Sequence, residues 1–468
     1  MRKVAITLAL AASLGTAAAA RADEPLPLLD ADTHGITAKD VRARALRTSP
    51  AVQAEDARLR EAEGKQGEAA LGFLPRVTAT ARYVRLSDFD PPAIGGGGSL
   101  VGTTDAPGTL GPRTVALGPI SFANVLNQYL LQASLVVPVS DYFLRIGRAH
   151  TAQTQLAEAK RHDRRAAARV AAAEAEIAYY QWLRALAAVR VAKETLRDDQ
   201  LHLDETKALE AVNLVSRAEV FRVEAEVAAT GQAVTHAESQ AKLAEKNLRT
   251  KLHAPEGEPL VPGETLEEPL PAAPVASDAL VARAQRARPE LLSLASNLRA
   301  AEEAIGIARA GRLPQLSAFA DATLANPNPR YQPQSEKWLP TWSLGAQLTW
   351  SPNEALTAGK SSSSAEARVD ALRAEVIRAK DGIGLEATAA ALDAAEADAA
   401  IASSKAQLRA AEEATRVARD VYRAGKLTST AVLDVETVLT RARLAVVSAK
   451  VDARIHRARL RLALGEED

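Results

Sequence analysis

Apolar and polar residues alternate strictly in four short stretches of this chain, and the alternation gives way to helical spacing after every second one. In the first stretch Val77, Ala79, Ala81 and Tyr83 fall on one face, with Arg76, Thr78, Thr80 and Arg82 on the other. The next puts Tyr129, Leu131, Ala133, Leu135 and Val137 opposite Gln128, Gln132 and Ser134. Leu316, Ala318, Ala320, Ala322 and Leu324 then alternate with Gln315, Ser317, Asp321 and Thr323. Finally Trp342, Leu344, Ala346, Leu348 and Trp350 alternate with Thr341, Ser343, Gln347 and Thr349. Period-two spacing predicts strands, paired as two hairpins at about 75–139 and 314–350. About ten residues per strand suits a tilted bilayer crossing, and an apolar face opposite a polar one is the pattern of an outer-membrane barrel. A soluble sheet packed on helices is the alternative. Tyr83, Tyr129, Trp342 and Trp350 lie near strand ends, where membrane-interface aromatics belong. Four strands cannot close a barrel, since the smallest have about eight. Open edges are not tolerated in lipid, so a chain that inserts these strands must oligomerise.

Leu74-Pro75 and Leu313-Pro314 end the helix before each hairpin, because proline removes a donor and restricts its predecessor. After each hairpin the spacing becomes helical. Residues from about Tyr142 to Glu210 contain no proline, and Gly147 interrupts only near the start. A helix of that length would run roughly 100 Å at 1.5 Å per residue. Its partner is expected from Arg217 to Leu252. The second pair is expected from about Ala365 to Tyr422 and from about Ser429 to Leu464. Alanine-rich faces permit close helix approach. The turns read Val212-Asn213-Leu214 and Ala424-Gly425-Lys426-Leu427-Thr428, and Asn and Gly tolerate positive φ at a helix end. Between the two halves, 253–277 is rich in proline and glycine and reads as a linker.

The halves are copies. Residues 41–50 read VRARALRTSP and residues 280–289 read LVARAQRARP. A spacing of 289 − 50 = 239 pairs Pro50 with Pro289, Glu63 with Glu302, Gly72 with Gly311 and Pro75 with Pro314. Composition alone does not place Pro, Gly and Leu-Pro in register. Further on, Leu135 pairs with Leu348 at a spacing of 213 and Glu224 with Glu436 at 212. The first copy therefore carries about 239 − 213 = 26 extra residues between positions 80 and 135, in a stretch of proline and glycine that reads as a surface loop.

Composition narrows what such a chain can do. Lys+Arg and Asp+Glu are both 58, so no general attraction to nucleic acid is expected. There is no cysteine, which excludes disulfides, thiolate metal sites and cysteine nucleophiles. The seven histidines never sit at the i, i+3 or i, i+4 spacing of a helical metal site. No cofactor and no metal are expected. Gly359-Lys360-Ser361 is half a phosphate loop, but Glu354 stands where the first glycine is needed. No other pattern of catalysis occurs, and no enzyme is predicted. Arg2 and Lys3, the apolar run Val4–Leu14 and the site Ala20-Arg21-Ala22 form a secretory signal, 1–22, with the mature chain expected from Asp23. No later segment offers 18 consecutive apolar residues, so insertion must be by strands.

In this order these features resemble the TolC family of outer-membrane efflux proteins over nearly the whole mature length. The carrying residues are Pro50 and Pro289, Gly-Phe-Leu-Pro (72–75) and Gly-Arg-Leu-Pro (311–314), the four strands, and Leu462-Ala463-Leu464-Gly465. The most specific is Val421-Tyr422-Arg423-Ala424-Gly425-Lys426-Leu427-Thr428-Ser429 with Val432-Leu433-Asp434, which looks like the family's Tyr-x-x-Gly turn. The resemblance implies a mainly α chain with membrane β: a homotrimer whose 12-stranded β-barrel is continued by a 12-helix periplasmic α-barrel. Each protomer would hold repeats at 23–252 and 278–468 with an equatorial linker at 253–277. It further implies an outer-membrane duct extending into the periplasm, embedded in outer-membrane lipid and docked to a periplasmic adaptor protein and an inner-membrane transporter. Carried over by position, Val212, Asn213, Leu214, Ala424, Gly425 and Lys426 form the adaptor-docking tip, and Asp434 stands at the pore entrance. Asn213 departs from the family's usual glycine, and Ala431 occupies a neighbouring position that is usually acidic. The runner-up reading is a periplasmic coiled-coil adaptor, which would have one helical hairpin and no bilayer-type strands. A purely structural coiled coil leaves Trp342 to Trp350 unexplained.

Overall fold

The computed structural model describes residues 32–88, 99–101, 115–117, 125–332 and 334–466. The expected signal and the proline- and glycine-rich parts of the inserted loop lie outside the described residues. In chain order the elements are α1 (Ala38–Thr48), α2 (Pro50–Leu71), β1 (Arg76–Arg85), β2 (Ser99–Val101), β3 (Val115–Leu117) and β4 (Asn127–Val137). A short turn, α3 (Val139–Asp141), and a π-helical turn at Tyr142–Ile146 lead into α4 (Gly147–Ala211), followed by α5 (Arg217–Leu252). The second series is α6 (Asp278–Ala287), α7 (Pro289–Ala310), β5 (Gln315–Asn326), β6 (Leu339–Thr349), α8 (Pro352–Arg423) and α9 (Ser429–Leu464). None of the described helices is long and apolar enough to cross a membrane.

Three details differ from the sequence reading. The single helix expected before each hairpin is two helices, because Ser49 and Arg288 precede prolines and take extended ψ values of 123° and 119°. The long helix of the second copy starts at Pro352, not near Ala365. In its serine-rich third turn Ser362 and Ser363 return their hydroxyls to the carbonyl of Gly359 at 3.1 and 3.3 Å, so their polar groups are met within the helix. Inside the inserted loop, β2 and β3 pair as a short antiparallel hairpin where only loop was expected.

The described chain forms two compact units. One comprises Met1–Ala45, Ala172–Val275 and Ala391–Arg459; the other comprises Leu46–Ala171, Ala276–Ala390 and Leu460–Asp468. Each unit takes segments from both repeats.

The strands belong to the second of these units. Apart from the β2–β3 pair they form one antiparallel sheet in the order β1-β4-β5-β6, so β1 and β6 are edges with no partner among the described residues. Tyr83 faces Tyr129, Leu135 faces Ala320, and Ala322 faces Trp342. The Leu-Pro ends fold alike in both repeats. Gly72, Phe73 and Leu74 donate to the carbonyls three residues back at 3.2, 3.2 and 3.0 Å, and Gly311, Arg312 and Leu313 do so at 3.2, 3.1 and 3.1 Å. Each tight turn closes its helix just before the proline that opens a strand.

The first-named unit holds the main hydrophobic core. Val41 of α1, Tyr179, Trp182, Leu183 and Val191 of α4, Leu248 and Leu252 of α5, and Val447 and Val451 of α9 pack together with Leu266 of the linker. The Tyr179 hydroxyl donates to the Ile36 carbonyl at 2.8 Å, and burial pushes its pKa up. The linker is irregular but pinned. Lys450, Arg454 and Arg457 form one face of α9 at i, i+4, i+7 spacing. Lys450 binds Glu267 at 2.6 Å, Arg454 donates to the Thr265 and Glu268 carbonyls, and Arg457 donates to the Pro271 carbonyl and to Asp398. All three cations are buried, and two of them, Arg454 and Arg457, satisfy carbonyls that no sheet or helix could pair.

Candidate functional site

Two regions carry the functional reading, one in each compact unit: the strand faces and the hairpin tips.

On β4 and the first part of β6 the apolar face is the exposed one, while β1 is exposed on both faces. Tyr129, Leu131, Ala133 and Leu135 are exposed while the intervening Gln128, Gln132 and Ser134 are half-buried. Trp342, Leu344 and Leu348 on β6 are 76%, 74% and 68% exposed. Leaving one large apolar side chain in water forgoes about 1.5–3 kcal/mol. A row of them on one face therefore suits lipid and not water. The polar face is internally bonded. Asp321 accepts from Ser134, from Gln132 at 3.4 Å and from Ser343 at 3.4 Å, so β4, β5 and β6 share one carboxylate. The aromatics mark both ends of the apolar band. Tyr83 and Tyr129 pack with tilted rings at 5.0 Å between centroids, and Trp338 joins Tyr129 at 5.8 Å. Trp342 stands on β6 near that end, and Trp350 lies just past the other, its indole donating to the Arg312 carbonyl at 3.3 Å. Trp342 and Trp350 are eight residues apart, about 26 Å of strand. At a tilt near 40° that is roughly 20 Å of depth, close to the apolar band of an outer-membrane barrel. Trp338 was missed in the sequence because it precedes the first alternating residue of β6.

At the tips, the two helical hairpins turn in the same way. Asn213 donates to the Glu210 carbonyl at 2.9 Å and Leu214 to that of Leu209 at 3.0 Å. Gly425 donates to Tyr422 at 2.8 Å and Lys426 to Val421 at 3.1 Å. These bonds make both turns Schellman caps. Asn213 and Gly425 hold the left-handed position, with φ of 58° and 69°. The far ends of α5 and α9 repeat the device, with His253 at φ 49° and Gly465 at φ 66°. The differences 425 − 213 and 465 − 253 are both 212, the repeat spacing. In each pair the first copy holds a side chain where the second has glycine, at a cost on the order of 1 kcal/mol per site. Val212 and Leu214 are 63% and 65% exposed, and Ala424, Gly425 and Lys426 are exposed too. The tips thus present apolar side chains and one cation to solvent. Asp434 is exposed on α9.

Just behind the tips lies a buried polar junction that the sequence did not single out. Tyr422, at the end of α8, places its hydroxyl 2.9 Å from Thr206 of α4. His202 of α4 sits 3.0 Å from Ser429 at the start of α9, its ring 4.9 Å from that of Tyr422. All four side chains are buried, and burial lowers the pKa of His202 and raises that of Tyr422. Further along, Arg419 of α8 donates to Glu436 of α9 at 2.8 Å and lies 3.6 Å from Asp198 of α4. Arg423 binds Glu205 at 2.5 Å. One face of α4 is therefore tied to both helices of the second hairpin. The Tyr-x-x-Gly spacing was legible, but the partner of the tyrosine lies 216 residues away.

The sequence pattern described as outer membrane efflux protein matches residues 280–466. No curated protein matches the chain. Solved structures match it along nearly its whole length. The outer-membrane channel OprN is 21% identical with a TM-score of 0.73, covering 93% of this chain and 94% of that one. The open state of the MtrE outer membrane channel of Neisseria gonorrhoeae is 19% identical with a TM-score of 0.71, covering 92% and 88%. The outer membrane protein VceC of Vibrio cholerae is 17% identical with a TM-score of 0.69, covering 92% and 96%. The fold is that of these outer-membrane channels.

Proposed function

We propose that this chain, whose second repeat carries the outer membrane efflux protein pattern and whose fold is that of the outer-membrane channels, is one protomer of a passive efflux duct. The observation that carries the reading is the inverted sheet: apolar residues outside, bonded polar residues on the other face, and two edges without partners among the described residues. Such a sheet is stable in a bilayer only when other copies pair its edges. Three copies bring twelve strands, enough for a closed barrel with a water-filled interior. The second-repeat helices α8 and α9 and the first-repeat helices α4 and α5 then contribute four helices per protomer to a periplasmic tunnel. The protein resides in the outer membrane and extends into the periplasm.

The exposed tips suit a partner. Val212, Asn213, Leu214, Ala424, Gly425 and Lys426 offer two compact turns with small or apolar protrusions, a surface on which the helical tip of a periplasmic adaptor would seat. That adaptor would link the duct to an inner-membrane transporter, which supplies the energy. Three copies of Asp434 near a narrow axis would favour cations over anions. Opening would be a shift of α8 and α9 away from α4 at the tip, breaking the Tyr422–Thr206 and His202–Ser429 contacts. The adaptor reading is not favoured, because the chain has two helical hairpins and a four-stranded membrane-type sheet.

Fractionation tests the proposal. Expressed with its leader, the protein should float with outer membranes and migrate as a heat-sensitive trimer on gels. Recovery as a soluble monomer from the periplasm would overturn it.

A further inference from the structure

The register of the four-stranded sheet lines its residues up in rows. Arg76 of β1 faces Val136 of β4, Val136 faces Phe319 of β5, and Phe319 faces Gly345 of β6. All four lie on the face opposite Trp342 and Leu344, which is the interior of a closed barrel. The Phe319 ring lies so close over Gly345 that a Cβ there would stand 2.7 Å from it. Only glycine leaves room for the ring, so Val136 and Phe319 form an apolar shelf beside a guanidinium. Neighbouring strands stand about 4.8 Å apart, which puts Arg76 and Phe319 about 10 Å apart along the row.

The cation in this row has no counter-charge. Arg76 is exposed, and its guanidinium makes no ion pair or hydrogen bond with another described residue. Asp321 is the one carboxylate on the inner face of the four strands, and it already accepts from Ser134, Gln132 and Ser343. A second copy pairing its β6 with β1 would bring no acid either, because the inner face of β6 offers Thr341, Ser343, Gln347 and Thr349. Arg82 adds a second cation on the same face of β1, so two cations stand against one engaged carboxylate and the field there is positive.

We propose that this row is a lumen site for organic anions with an apolar body, the acid group on the Arg76 guanidinium and the body on Val136 and Phe319. The lumen placement rests on the duct reading. A planar guanidinium offers parallel N–H groups to a carboxylate or sulfonate. The shelf rewards apolar area, which a hydrated inorganic anion lacks. The charge preference is local to this row and independent of Asp434.

The test is calorimetric titration of the purified full-length protein in a neutral detergent with naphthalene-2-sulfonate. Wild type should bind it. Naphthalen-2-ylmethylammonium, with the same rings and the opposite charge, and methanesulfonate, with the same acid and no ring, should each bind at least several-fold more weakly. R76Q should lower affinity about tenfold, the effect of losing a charge-assisted bond. R85Q should leave it unchanged, because Arg85 shares Asn127 with Tyr83 on the outer face of the same strand. F319A keeps Arg76 and removes the shelf; it should weaken binding several-fold, and it decides the matter should R76Q fail to fold. Absence of binding by wild type, wild-type affinity in R76Q or F319A, or equal affinity for the sulfonate and the ammonium would overturn the proposal. A trimer that does not bind overturns the site and leaves the duct standing. A soluble monomer overturns the duct reading, and with it the lumen placement, whatever it binds.

Discussion

Replacing Tyr422 with phenylalanine removes one oxygen and keeps a ring that is 1% exposed and in contact with His202. The main bond lost is the 2.9 Å contact with Thr206, itself fully buried, together with the hydroxyl's weaker interaction with Ser429. Thr206 keeps its second bond, donated to the His202 carbonyl at 2.8 Å, so no donor is stranded. The net value of such a buried neutral bond is about 1 kcal/mol. The bond ties α8 to α4, and the proposed opening breaks it. Tyr422→Phe should therefore shift the closed–open equilibrium of a protomer about fivefold toward open. A concerted trimer would multiply the three shifts, roughly 3 kcal/mol or on the order of 150-fold. The assay is single-channel open probability in planar bilayers for Tyr422→Phe, Thr206→Val and the double variant. The two substitutions should be markedly non-additive, because each removes the same bond. Additive effects, or open probability equal to wild type in all three, would refute the assignment of this junction as a closing contact.

Further predictions concern charge, turns and strands. Glu436 is protonated more readily folded than unfolded, since burial raises its pKa from 4.5 to about 7. The stability this group lends is thus complete below pH 4.5 and is lost as pH rises through about 7. Glu436→Gln should flatten that slope and raise stability at pH 8 by up to about 3 kcal/mol; pH-dependent thermal melts check it, and parallel profiles would contradict it. Gly425→Val forces a β-branched residue into the left-handed region, costing about 1–2 kcal/mol. It should weaken adaptor capture in pull-downs and raise drug susceptibility while the trimer still inserts. Asn213→Gly, by contrast, should be neutral or slightly stabilising in melts. Leu344→Arg, on the exposed apolar face, should cost about 2–4 kcal/mol and abolish the heat-modifiable trimer. Gln347→Arg on the opposite face should be tolerated, and the reverse ranking would invert the assigned faces.

The elements that carry function differed in how far the sequence showed them. The four strands were legible because period-two alternation lies within ten neighbouring residues and reports the face directly. Pro50, Pro289 and the two Leu-Pro turns were legible because proline acts on its own backbone and its predecessor. The tip turns were legible for the same reason, and the left-handed geometry at Asn213 and Gly425 follows from local sterics. The partners of Tyr422 and Glu436 were not legible. Each is a side chain on one helix meeting another helix far off in sequence, and a helix face rich in alanine does not state which neighbour it will meet. The start of α8 was misplaced because a run of serines reads as a loop, whereas here Ser362 and Ser363 bond to the Gly359 carbonyl inside the helix.

The sequence by itself determined the duplicated frame: helix, strand hairpin and long helical hairpin twice over, with a lipid-compatible face on the strands. These are periodicities and breaks, and they act over a few residues. The tertiary structure decided which of two equivalent pairs is buried. Lys207–Glu224, joining α4 to α5, and Arg419–Glu436, joining α8 to α9, are the same pair in the repeat, yet only the second is packed against the other hairpin, whose α4 brings Asp198 and Asp199 near it. Desolvation and long-range charge set that difference, and both depend on what packs against a residue and not on the residue itself.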